Sequence, residues 1–167
     1  MKRLTRYTII GTVFVSILGT LSHFFYEWSN NSIIVGLFSP VNESTWEHMK
    51  LIFFPMLIFS IWAIPRLKGD YPCIASSLLS GILLGTALIP VIFYTYTGIL
   101  GYNLLALDIA TFVLSVIIAF FTTYRLTTSC RMQRHILVLC AAICIVMVCF
   151  LLFTFWTPDI GLFTSPD

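Results

Sequence analysis

Residues 41–64 read VNESTWEHMKLIFFPMLIFSIWAI. The second part, residues 51–64, carries no charge, yet as a helix it is only about 21 Å long. Crossing about 30 Å of hydrocarbon takes roughly 20 residues. A membrane span built on this stretch must therefore reach back to about Thr45. That reading carries Glu47, His48 and Lys50 to hydrocarbon depth, where a charge is costly unless it is paired or faces a cavity.

Four further apolar runs flank this one. The expected spans are residues 7–28, 43–65, 73–97, 104–125 and 135–156, each long enough to cross. Without water in the bilayer core the backbone must satisfy its own hydrogen bonds, so these runs are expected to be helices. Strand-like alternation is absent, which argues against a β-barrel. The expectation is an all-α, polytopic membrane protein, one five-helix transmembrane domain over residues 1–167.

Composition agrees. Only 10% of the 167 residues are charged and 59% are hydrophobic, against about 25% charged in soluble domains. Mean hydropathy is +0.98. The net charge of +2 includes no basic patch suited to nucleic acid. The first apolar run, residues 7–25, exceeds the roughly 7–15 residues of a cleavable signal's core, so it reads as a retained anchor.

Orientation follows from the cations. Lys2, Arg3, Arg6, Arg66, Lys68, Arg125, Arg131 and Arg134 all fall on one side, eight of the nine Lys and Arg residues. The positive-inside rule makes that side cytoplasmic, with the N-terminus inside and the C-terminus outside. Lys50 is the exception. Glu27, Glu43, Glu47, Asp108, Asp159 and Asp167 then lie in the outer half or beyond it, and only Asp70 lies on the inner side.

Packing signals are ordinary. Ser77, Gly81 and Gly85 make a small-residue stripe that lets a neighbouring helix approach. Pro55 and Pro90 are expected to bend their helices. None of the five cysteines (Cys73, Cys130, Cys140, Cys144, Cys149) falls in an outer loop, so no external disulfide is expected and small apolar filling is the default.

Polar groups gather at the outer ends of four helices. Glu43, Glu47 and Lys50 fall at i, i+4 and i+7 and would share a helix face. Ser44 and Glu47 fit a capping box, so a capped helix start with an internal Glu47–Lys50 ion pair accounts for these residues by themselves. His23 and Glu27 stand at i, i+4 in HFFYEW, which alone is a polar-edged aromatic belt. Tyr94, Tyr96 and Asp108 complete the set. Taken together, His23, Glu27, Glu43, Glu47 and His48 offer imidazoles and carboxylates for a divalent metal such as zinc. No HEXXH motif or Cys pair is present. In an enzyme, His23, Glu47 and His48 would act as ligands or acid/base groups and Glu43 or Asp108 as orienter or base. Lys50 or Tyr94 would stabilise developing charge. The loop at residues 29–41 contains IIVGLF, which would lie at the interface and could lid the site.

The VNESTWEHMKL stretch, preceded by HFFYEW and followed by YTYTGILGYN and Asp108, resembles a family of small bacterial membrane proteins known only as a domain of unknown function. The resemblance covers nearly the whole chain. It implies a bacterial plasma-membrane location and no activity. Three functions fit these residues. The leading one is a membrane-embedded hydrolase or transferase acting on a lipid or membrane-associated substrate at the outer face. The others are an ion- or proton-coupled transporter and a non-enzymatic accessory subunit.

Overall fold

The computed structural model describes residues 2–165; Asp167 lies outside them. In chain order the helices are α1 (Lys2–Trp28), a single-turn α2 (Ile33–Gly36), α3 (Thr45–Leu67), α4 (Ile74–Leu100), α5 (Leu105–Ser129) and α6 (Ile136–Phe153). Two 3-10 turns, Gln133–His135 and Gly161–Phe163, flank α6. The described residues contain no strand. Five helices are long and apolar enough to cross a membrane, the last counted from Gln133.

The surface identifies the solvent. The span ending in α6 has the highest hydropathy of the five and is the least buried. Leu137 is 81% exposed and Ile145 62%. In water each such side chain would forfeit about 25 cal/mol per Å² of apolar area. Lipid removes that cost, so the most apolar helix can also be the most peripheral.

The core forms where α3 packs between α1 and α4, with α5 closing the bundle against α1 and α4. Ile52, Phe53 and Met56 of α3 are fully buried, as are Val116 and Phe120 of α5. The small-residue stripe makes the closest approaches. A Cβ at Gly81 would come within 2.1 Å of Thr123 Oγ1 and 2.9 Å of the Ala119 carbonyl oxygen, so no larger residue fits between α4 and α5. Gly19 serves α1 in the same way, with Leu51 O at 2.5 Å and Phe112 Cζ at 2.6 Å from where its Cβ would be. Pro55 and Pro90 lie inside continuous helices.

One end of the bundle gathers the start of α1, the α3–α4 turn and the α5–α6 turn. Arg3 pairs there with Asp70 and donates to the Arg66 carbonyl at 2.9 Å. Ser76 Oγ donates to Gln133 Oε1 at 2.9 Å. Two cysteines depart from the expectation of simple filling. Cys73 and Cys130 form a disulfide across 57 positions of sequence. Cys73 caps the start of α4 and Cys130 the end of α5. The antiparallel packing of those two helices brings the caps together. Cys140, Cys144 and Cys149 are free.

Candidate functional site

The opposite end of the bundle carries the polar groups, and the α3 N-cap decides where each one points. Ser44 is extended (φ −68°, ψ 151°), and its hydroxyl accepts from the Glu47 backbone N–H at 3.3 Å. The helix therefore begins at Thr45, and Glu43 lies outside it. The shared face expected for Glu43, Glu47 and Lys50 does not form, because the helical register stops before Glu43.

Glu43 turns toward the histidines. Its Oε2 lies 3.4 Å from His23 Nε2 and 3.4 Å from His48 Nε2. One ligand atom from each of the three residues lies within 4.8 Å of the other two. The imidazole centroids are 5.4 Å apart. His48 Nδ1 lies 2.9 Å from the Ser44 carbonyl oxygen. A carbonyl only accepts, so that nitrogen carries the proton, and in the neutral ring the Nε2 lone pair faces Glu43. The Glu43 carboxyl is held below the usual carboxylate range, first by the adjoining His48 imidazole, with partial burial opposing. An anionic carboxylate oxygen facing two imidazole nitrogens is satisfied by an N–H donor or by a cation between them.

These residues line a cavity of about 730 Å³ between α1, α3, α4 and α5. Asp108 lines it too and accepts a hydrogen bond from the Tyr96 hydroxyl. Leu51, Ile89 and Phe112 give it an apolar floor. Asn103 at the rim had no motif to announce it. No residue of the 29–41 loop lines the cavity among the described residues, so the IIVGLF stretch does not lid it.

Four other expected site residues stand elsewhere. Glu27 is exposed and adds no ligand atom to the group. Glu47 and Lys50 are buried together beside the cavity, with Lys50 fully inaccessible. Lys50 Nζ donates to Glu47 Oε2 at 2.7 Å, Thr154 Oγ1 at 2.7 Å and the Gly36 carbonyl at 2.9 Å. Glu47 Oε2 also accepts from the Val41 N–H at 3.0 Å. The pair thus ties α3 to the α2 loop and to the residue after α6, the arrangement of a structural lock. The Tyr94 hydroxyl donates to the Gly161 carbonyl at 3.0 Å and borders a second, smaller cavity. Tyr96, not Tyr94, meets Asp108.

Comparison with known proteins places the chain by family and no further. A profile of a family of unknown function (DUF6512) matches residues 1–166, and the chain belongs to that family. No curated protein matches, and no solved structure does.

Proposed function

We propose that the protein is a membrane-embedded, metal-dependent hydrolase or transferase, with His23, Glu43 and His48 as ligands of a divalent ion such as zinc. One observation carries this reading: a single carboxylate oxygen lies 3.4 Å from both imidazole Nε2 atoms. Zinc bonds of about 2.0–2.1 Å in tetrahedral geometry separate neighbouring ligands by about 3.4 Å. A metal ion would satisfy the carboxylate and both imidazoles together. Two imidazoles and a carboxylate leave a fourth position open, as catalytic zinc centres do. The Ser44 carbonyl on His48 Nδ1 is the kind of second-shell partner that fixes a ligating ring.

The chemistry follows from the lining. A bound metal would lower the pKa of a coordinated water toward about 7. Asp108, held by Tyr96, is the other carboxylate of the lining and would act as the base. Asp108 would take the proton of the attacking water as its oxygen adds to the electrophilic atom of the substrate, and would return that proton to the leaving group as the bond to it breaks. In a transferase an acceptor hydroxyl or amine replaces water.

Zinc-loaded protein is expected to cleave at least one of a panel of fluorogenic long-chain ester, amide and phosphodiester probes. Chelator and His48→Ala should each remove more than about 99% of that activity. Turnover that survives both would end the metal reading.

We also propose that the N-terminus is cytoplasmic and that the site lies toward the outer face, in a cell membrane. The cation asymmetry supports this orientation, while the Cys73–Cys130 disulfide at the same end is the observation that runs against it, since the cytosol keeps thiols reduced. A reporter fused after Lys68 should read cytoplasmic; an external reading there would invert the assignment.

A further inference from the structure

Helices α1 and α5 touch closely where Gly19 meets Phe112. At the Gly19–Phe112 crossing there is no room for a Cβ. From there toward the site end, both helices turn their next residues to the cavity, Thr20 and Phe24 from α1 and Ile109 and Leu105 from α5. All four are exposed. Ile109 is 57% and Leu105 75% exposed although both line the cavity, so the cavity reaches the surface beside α5. Both helices are candidate membrane spans, and three of the four residues at this mouth are apolar. The opening therefore faces lipid.

Charge then selects what passes through it. No Lys or Arg lines the cavity among the described residues, and Lys50 is turned away into its own pair. The acidic side chains of the lining are Glu43 and Asp108, whose two formal negative charges a divalent ion would balance. A phosphate head would bring negative charge that nothing offsets and set it near Asp108. An uncharged carbonyl meets no such penalty and offers an oxygen for a metal to polarise.

We propose that the cavity takes a single-chain amphiphile with an uncharged amide or ester head, which comes from the bilayer through the opening beside α5. The chain lies on Leu51, Ile89 and Phe112, all buried and apolar. The head sits among His23, Glu43, His48 and Asp108. This assignment rests on the metal-site reading for its choice of carbonyl. The preference against anionic heads holds without the metal, because the lining is then more negative still.

The test is photolabelling of the full chain in nanodiscs with a long-chain N-alkyl amide carrying a diazirine near its tail end. Zinc content is measured on the same sample. Adducts are expected on Leu51, Ile89 or Phe112. Unlabelled alkyl amide should suppress them at about tenfold lower concentration than an alkyl phosphate of equal length. Ile109→Trp, which narrows the mouth, should reduce the adducts several-fold without changing zinc content. Adducts confined to outward positions such as Ile17 and Leu137, or equal competition by the phosphate, would overturn the proposal. Zinc bound without cavity adducts overturns this inference alone. Cavity adducts without zinc overturn the metal reading and leave the amphiphile assignment standing. Absence of both overturns both.

Discussion

Zinc titrated into metal-free protein should bind at one equivalent per chain, and His23→Ala, Glu43→Ala and His48→Ala should each all but abolish that binding. Losing an outer-shell partner alone costs about 10–100-fold in metal affinity, so losing a ligand should cost more. The three residues come from α1, the α3 N-cap segment and the first turns of α3, and no two of them can complete the tripod. Glu43→Ala is the most informative of the three. Its side chain is 64% exposed, so the substitution should change stability by no more than about 0.5 kcal/mol. Zinc calorimetry and a thermal melt on the same preparation would separate the two effects. Retained affinity in the Glu43 variant would remove that residue from the ligand set.

Lys50→Met should destabilise the bundle by about 3–5 kcal/mol, because it leaves Glu47 buried and unpaired. The Val41 N–H would be its remaining partner at Oε2, and Oε1 has none. Thr154 Oγ1 and the Gly36 carbonyl would also lose their donor. The double variant Glu47→Leu/Lys50→Met should recover most of the loss, since well-packed apolar replacements of a buried ion pair are often neutral or better. Denaturant titrations of the single and double variants would measure this. If Lys50→Met unfolds at the parent's midpoint, the pair is not a lock. Sequence offers both Glu43 and Glu47 as metal ligands and Glu47 also as the partner of Lys50; the exposed one is proposed to bind metal, and the buried one pairs with Lys50.

The five helices are legible because hydrocarbon thickness sets a minimum length and five runs meet it. The Ser44 cap and the Glu47–Lys50 pair are legible because both are local, within one helical turn. Glu43 is not, because its direction depends on one extended residue at Ser44 that ends the helical register. His23 and Glu27 are one turn apart, but α1 packs on α3 through the face that carries His23, and Glu27 is left outside. The Cys73–Cys130 disulfide joins two loops 57 positions apart, and only the packing of α4 on α5 brings them together. Tyr94 and Tyr96 lie two positions apart, so helical rotation sends one to Gly161 and the other to Asp108.

The central claim is that His23, Glu43 and His48 hold one metal ion. X-ray absorption at the zinc edge, on the stoichiometric complex in nanodiscs, tests it most directly. The account predicts two imidazole nitrogens and carboxylate or water oxygens at about 2.0–2.2 Å, with no sulfur in the shell. His48→Ala should reduce the imidazole signal from two rings to one or eliminate the bound zinc. A shell containing sulfur at about 2.3 Å would place the ion on the free cysteines of α6. A shell with no imidazole would place it outside the cavity, and either result would contradict the account.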